Sequence, residues 1–264
     1  MSSGPCPDKR HALVTGAGSG IGRAIALSLA GRGYTVSLAG RRAAPLEAVR
    51  TEIEAAGGKA IVLAGFDVTD VTSVQTGIAK AIDRLGDIAV LVNSAGEAPS
   101  APFEKTDPTF WNRVIGINLT GTYLVTQAAL ASVRRAGKGR IVNVASTAGL
   151  TGYAYVSAYC ASKHGVVGLT RALALELART DVTVNAVCPG FTDTPLLDGA
   201  VETITAKTGR GADEARAALA KANPQGRLVS PEEVADTVLW LASEGASAIT
   251  GQAIAVAGGE VMAG

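Results

Sequence analysis

Short apolar runs alternate with longer amphipathic stretches along nearly the whole chain. The runs at 11–15, 35–39, 60–64, 88–92, 141–144, 182–187 and 252–256 carry few polar residues, the pattern of strands buried on both faces. Between them, apolar residues recurring every three or four positions predict helices over 23–32, 44–56, 70–85, 108–136, 159–177 and 231–242. Ser230-Pro231-Glu232-Glu233 opens the last of these with a capping residue followed by proline. Strand and helix alternate without a break, which predicts an α/β fold: a doubly wound, mostly parallel seven-stranded sheet flanked by helices on both faces. No repeat or low-complexity linker divides the 264 residues, so 1–264 reads as a single domain with 1–10 as an N-terminal tail.

The first strand runs into Gly16-Ala17-Gly18-Ser19-Gly20-Ile21-Gly22 and then a helix. Glycines let the backbone turn tightly, and they let a diphosphate approach N–H groups at a helix N-terminus, where partial positive charge favours anions. The spacing Thr15-Gly16-x-x-x-Gly20-x-Gly22 differs from the G-x-G-x-x-G of many dehydrogenases. Strand before and helix after nonetheless point to nucleotide binding by Gly16, Ser19, Gly20, Ile21 and Gly22. The second strand ends at Gly40-Arg41-Arg42, with no acidic residue between Asp8 and Glu47 to hold ribose hydroxyls. Two guanidinium groups there suit a 2′-phosphate, favouring NADP over NAD, although arginines at a helix start are also simply solvated. Asp67 and Val68 follow the third strand; Asp67 suits the adenine edge of a cofactor and, equally, the cap of the next helix. Asn93-Ser94-Ala95-Gly96 turns tightly at the end of the fourth strand, where Asn93, Ala95 and Gly96 offer backbone contact to a cofactor.

Ser146 lies just past the carboxyl end of the fifth strand, and Tyr159 and Lys163 share one face of the helix that follows. A phenol is a poor base at neutral pH, but a fixed cation favours its ionised form. A tyrosine tuned in this way exchanges a proton with a carbonyl or alcohol oxygen, and the Ser146 hydroxyl can hold the same oxygen. An isolated Tyr-x-x-x-Lys is common by accident, so the reading rests on its surroundings. Asn118, inside a predicted helix that disfavours it, either has a task for its side chain or bonds backbone where the helix bends. The least regular segment, 192–224, follows the sixth strand and reads as a substrate lid. Tyr153, Tyr155 and Phe191 suit a pocket wall as well as packing, His164 reads as packed, and Cys160 as a small buried apolar side chain.

Composition narrows the classes further. A net charge of +1 gives no electrostatic case for nucleic acid. No uninterrupted apolar run approaches the ~18 residues a bilayer requires, and the first ten lack a signal-peptide core, which predicts no membrane association and a cytoplasmic protein. Cys6, Cys160 and Cys188 are odd in number and widely spaced, as reduced thiols are.

With these residues in place, the chain resembles the short-chain dehydrogenase/reductase family from Leu13 to Gly259. The motifs are Thr15-Gly16-x-x-x-Gly20-x-Gly22, Asn93-x-Ala95-Gly96, Asn118, Ser146, Tyr159-x-x-x-Lys163 and Pro189-Gly190. The resemblance implies a Rossmann-fold homotetramer that needs no metal and acts on a small molecule. It makes Tyr159 the acid/base, Ser146 the group steadying the substrate oxygen, Lys163 a ligand of the nicotinamide ribose, and Asn118 the holder of a relay water. Thr192 and Thr194, after Pro189-Gly190, would anchor the carboxamide end of the cofactor. Ser94 stands where the family often has a second Asn, and Ala257 where it commonly has Asp. Stretches 139–149 and 162–168 look like those of bacterial ketoreductases acting on 3-oxoacyl thioesters and polyketides. The expectation is an NADP-dependent oxidoreductase interconverting a ketone and a secondary alcohol. An NAD-dependent dehydrogenase of a cyclic or hydroxyacyl alcohol, or a cofactor-binding protein without catalysis, are the other readings.

Overall fold

Strands with no polar face are stable only between two covering layers, and this dictates the architecture. The structure, a computed structural model, describes residues 10–262 apart from the side chain of Lys207; Cys6 and positions 1–9 of the expected tail lie outside the described residues. Seven strands form one sheet: β1 (His11–Thr15), β2 (Thr35–Gly40), β3 (Lys59–Ala64), β4 (Ile88–Asn93), β5 (Arg140–Val144), β6 (Thr183–Pro189) and β7 (Ala253–Val256). Their order is β3-β2-β1-β4-β5-β6-β7, and each neighbouring pair is parallel rather than mostly so.

One layer contains α1 (Gly20–Gly31), α2 (Ala43–Ala55) and α9 (Pro231–Ala242); the other contains α3 (Val71–Leu85), α5 (Gly121–Arg135) and α6 (Ser157–Leu177). Alternation along β4 shows how the sheet serves both: Val90 and Val92 pack with Ile25, Leu29 and Val238, while Leu91 packs with Val125, Val133 and Leu177. Each such fully buried side chain contributes about 1.5–3 kcal/mol of transfer free energy.

Three boundaries differ from the sequence expectation. The stretch 108–136 is not one regular helix: α4 (Pro108–Ile115) and α5 are joined by a single π turn, Gly116–Thr120, with Asn118 inside it. By length and composition Pro108–Arg135 is apolar enough to cross a membrane, yet its Val125, Ala129 and Val133 are buried against the sheet. Asp67 does not cap α3; Asp70 does, its carboxylate accepting from the Ser73 N–H at 2.7 Å. Segment 192–224 is more regular than expected, with α7 (Pro195–Thr208) and α8 (Ala212–Ala220). Gly199, Thr203, Thr205 and Thr208 are weak helix formers, but Leu197 and Val201 pack against Ala215 and override that preference.

The chain winds outward from β1 through β2 to β3, then returns to place β4 on the other side of β1. That reversal opens a crevice beyond the carboxyl ends of β1 and β4, where doubly wound sheets take their ligands.

Candidate active site

Two glycine-bearing turns meet in this crevice. Gly16 has φ +68°, and a Cβ there would lie 2.9 Å from the Ala95 Cα, so the turns after β1 and β4 touch through bare backbone. Thr15 Oγ1 fastens them, accepting from the N–H groups of Ser94 (3.0 Å) and Ala95 (3.1 Å). Ser19 makes no side-chain cap at the start of α1, and the first turn holds no acid, which leaves the helix N-terminus available to an anion. A cavity of about 460 Å³ opens here, lined by Gly16, Ser19, Gly20, Ile21, Gly22, Arg41, Arg42, Asp67, Val68, Ala95 and Gly96. Arg41 and Arg42 are exposed at its rim. The Asp67 carboxylate accepts from Thr69 N–H and Oγ1–H; these bonds, with Arg41 nearby, hold its pKa below the usual carboxylate value. Cradle, free helix terminus and paired guanidinium groups fit a phosphorylated dinucleotide.

Gly22 has no room for a side chain, because a Cβ would sit 2.3 Å from the Gly16 carbonyl oxygen. Gly22→Ala is therefore expected to push the turn open, destabilising the fold by about 1–3 kcal/mol and weakening dinucleotide binding. Urea denaturation with and without NADPH measures both effects; a variant of unchanged stability and affinity would show the turn to be more compliant than its geometry implies.

Not every expected contact falls in this cavity. Asn93 is turned into the core, where Nδ2 donates to Thr126 Oγ1 (2.9 Å) and Asn143 Oδ1 (2.8 Å), and Asn143 in turn donates to Thr170 Oγ1. It ties β4 to β5 and lines neither cavity described here. Pro189, Gly190 and Thr192 line a second cavity of about 540 Å³ that adjoins the first; Thr194 lines both.

Tyr159 also lines both cavities, Ser146 the second, and Asn118 and Lys163 the first. Ser146 is set by the turn at the end of β5, its Oγ accepting from Ala148 N–H at 3.1 Å. Lys163 is buried, its Nζ donating to the Val144 carbonyl at 2.8 Å and lying 5.6 Å from the Tyr159 ring centre. Burial pushes its pKa down to about 8. The phenol departs from expectation. Burial raises the Tyr159 pKa, the neighbouring Ser146 side chain lowers it in part, and Lys163 does not offset the burial. Tyr159 therefore keeps its proton at neutral pH, which suits a proton donor.

Asn118 resolves both options left open for it. Its side chain bonds backbone, but that of a distant segment: Oδ1 accepts from Glu97 N–H (3.0 Å) and Nδ2 donates to the Glu97 carbonyl (2.9 Å). The π turn widens the helix and aims the amide there.

In the second cavity Tyr153 and Phe191 stand edge to face, ring centres 6.2 Å apart. The Tyr153 hydroxyl donates to Glu260 Oε1 (2.6 Å) and lies 2.9 Å from Thr147 Oγ1. Tyr155 does not join this wall; it is exposed, with φ 66°. His164 is exposed rather than packed, its Nδ1 against the Cys160 carbonyl, and Cys160 is half-buried while Cys188 is fully buried. Sequence reasoning missed Glu97, Glu260 and the α7 residues Leu196, Leu197, Ala200 and Thr203 at this site. Only Glu97 left a local trace, as the charged residue directly after the Asn93–Gly96 turn.

The model of the short chain dehydrogenase family matches residues 10–205. A putative ketoacyl reductase of Streptomyces coelicolor is 41% identical, over 96% of this chain and 97% of its own. Cis-4-hydroxycyclohexanecarboxylate dehydrogenase of Sinomonas cyclohexanicum is 42% identical, over 95% and 96%. The crystal structure of a variant actinorhodin polyketide ketoreductase with NADPH superposes with a TM-score of 0.92 at 41% identity, covering 96% of this chain and 97% of that one.

Proposed function

Because the chain belongs to the short chain dehydrogenase family, we propose that it is an NADP-dependent oxidoreductase interconverting a ketone and a secondary alcohol, working as a reductase of 3-oxoacyl thioesters or polyketide carbonyls. The observation that carries this reading is the placement of Tyr159 where two cavities adjoin, with Ser146 in the wall of the second and the buried Lys163 in that of the first, its Nζ 5.6 Å from the phenol ring centre. The similarity to ketoacyl reductases and to a polyketide ketoreductase holding NADPH supports both the substrate class and the cofactor.

When bound, the dinucleotide supplies the hydride. Gly16, Ser19, Gly20, Ile21 and Gly22 would hold its diphosphate through backbone N–H groups, and Arg41 and Arg42 would hold the 2′-phosphate. Asp67 and Val68 would face its adenine end, Ala95 and Gly96 would offer backbone, and Tyr159 and Lys163 would hold the nicotinamide ribose. Pro189, Gly190, Thr192 and Thr194, at the junction with the second cavity, would position the carboxamide end. Ser146 Oγ–H donates to the substrate carbonyl oxygen, and Tyr159 delivers its phenolic proton to that oxygen as negative charge develops. Asn118 fixes the Glu97 backbone beside Gly96 and Lys163, a placement suited to the relay that reprotonates Tyr159. The chain acts as one catalytic domain, with 192–224 as the lid over the second cavity. Exposed Trp111, Tyr123, Leu175 and Trp240 on the outer helices support assembly as a homotetramer, and a cytoplasmic location completes the proposal.

A second reading, oxidation of a cyclic alcohol, is favoured by the identity to the cyclohexanecarboxylate dehydrogenase. A panel of acyl thioesters and cyclic ketones, assayed with NADPH and NADH through absorbance of the reduced nicotinamide, separates the two. Turnover of thioesters with NADPH is expected, and consumption of neither cofactor with any carbonyl would defeat the proposal. In the same assay Arg41→Ala should raise KM for NADP by about tenfold to a hundredfold and leave NAD nearly unaffected, since only the 2′-phosphate loses a charged partner. Equal loss for both cofactors would remove the basis for NADP.

A further inference from the structure

The second cavity has an unbalanced electrostatic character. Its wall is built of small and apolar side chains with a few hydroxyls; Glu97 is the one charged residue among the described residues that line it, and a second carboxylate, Glu260, reaches it only through the Tyr153 hydroxyl. Glu97 also lines the first cavity, so its carboxylate stands at the junction, on the same boundary as Tyr159. The bonds between its backbone and the Asn118 amide fix its position, and Oε1 is buried without a hydrogen-bond partner. Arg113 approaches from outside at 3.4 Å from each oxygen, but it is exposed and lines neither cavity. Lys163, the cation nearest the reacting groups, is turned into the first cavity and bonded to Val144.

We propose that Glu97 selects substrates by charge: it rejects carbonyl compounds bearing a free carboxylate close to the reacting carbon and admits neutral ones, best those with a hydroxyl donor for Oε1. A carboxylate brought into this cavity meets a like charge and finds no cation among the described residues that line it. A neutral thioester, ester or phenolic ketone meets no such repulsion, and a hydroxyl on it can donate to an oxygen that has only the ion pair with Arg113 and no hydrogen bond. This rests on the ketoreductase reading and narrows it to neutral substrates, leaving ring-bearing carboxylates to other members of the family.

The test compares kcat/KM, with NADPH, for 4-oxocyclohexanecarboxylate and its methyl ester, and for acetoacetate and its ethyl ester. The wild-type protein should favour each ester over its acid by on the order of tenfold or more. Glu97→Gln should raise the acid-to-ester ratio by on the order of tenfold, and Arg113→Gln, which leaves the carboxylate less neutralised, should lower it. A structural disturbance alone would not move the two variants in opposite directions. A ratio unchanged by Glu97→Gln would overturn the proposal. Should no carbonyl turn over, the reductase reading fails on its own. Calorimetric binding of the cyclic acid and ester to the NADPH complex then decides the selection: a tenfold relative gain for the acid on Glu97→Gln supports it, and equal affinities in both proteins refute it.

Discussion

Tyr159→Phe is expected to lower turnover by about 10²–10⁴-fold while weakening NADPH by no more than about tenfold. The substitution removes one oxygen and leaves a ring of the same shape on the boundary of both cavities. Because burial raises the phenol's pKa, the proton lost with that oxygen is one the folded protein carries at neutral pH, ready for a carbonyl oxygen gaining charge. The direction of the shift also fixes the pH dependence. Carbonyl reduction needs protonated Tyr159 and should persist through neutral pH, whereas alcohol oxidation needs the phenolate and should rise with pH. Steady-state rates in both directions, with a fluorescence titration of NADPH, measure these effects; full turnover by the variant would favour a cofactor-binding protein whose chemistry lies elsewhere.

The residues legible in the sequence are those whose role depends on near neighbours. Gly16, Gly20 and Gly22 sit in a strand–turn–helix unit, and Tyr159 and Lys163 are one helical turn apart, so spacing alone puts each group together. The strands stood out because burial on both faces leaves apolar runs with little polar interruption. The Asn93 side chain leaves the cavity because the pleat, not the motif, decides where a side chain at a strand end points: here to Thr126 and Asn143, far away in sequence. Asp67 and Asp70 are both good caps, and only the position of Ser73 separates them. Tyr155 adopts a left-handed backbone that turns it outward, and no neighbouring residue announces it. The α7 residues reach the second cavity because Leu197 and Val201 pack against Ala215 of α8, which holds as helix a segment that also contains Gly199, Thr203, Thr205 and Thr208. The pKa of Tyr159 belongs to the same class: four-residue spacing to Lys163 suggested a lowered value, but burial, a property of the whole fold, dominates.

Lys163→Met carries the second large expectation, with opposite signs for activity and stability. Activity should fall by about 10²-fold or more, since the cation beside the phenol and the ribose ligand are lost together. Stability at pH 7 should nevertheless rise. Burial holds the folded-state pKa at about 8, against an ordinary value of 10.5. The unfolded chain therefore binds more protons between those two values, so the stability contributed by this group increases as pH climbs through that window. Below about pH 8 the full penalty of a buried ammonium applies, roughly 3 kcal/mol for a shift of this size. Methionine removes that penalty but leaves the Val144 carbonyl without its donor, which offsets about 1–3 kcal/mol. The variant's advantage should thus be modest at pH 7 and smaller by about 2–3 kcal/mol at pH 10, where the wild-type amine is neutral when folded and still donates to Val144. Urea denaturation at the two pH values reads this directly, and a stability difference independent of pH would mean that Lys163 is not held with a lowered pKa. The lysine is then best understood as a group that weakens the fold at neutral pH and is kept for the charge it places behind Tyr159, a local conflict between folding and chemistry of the kind active sites retain.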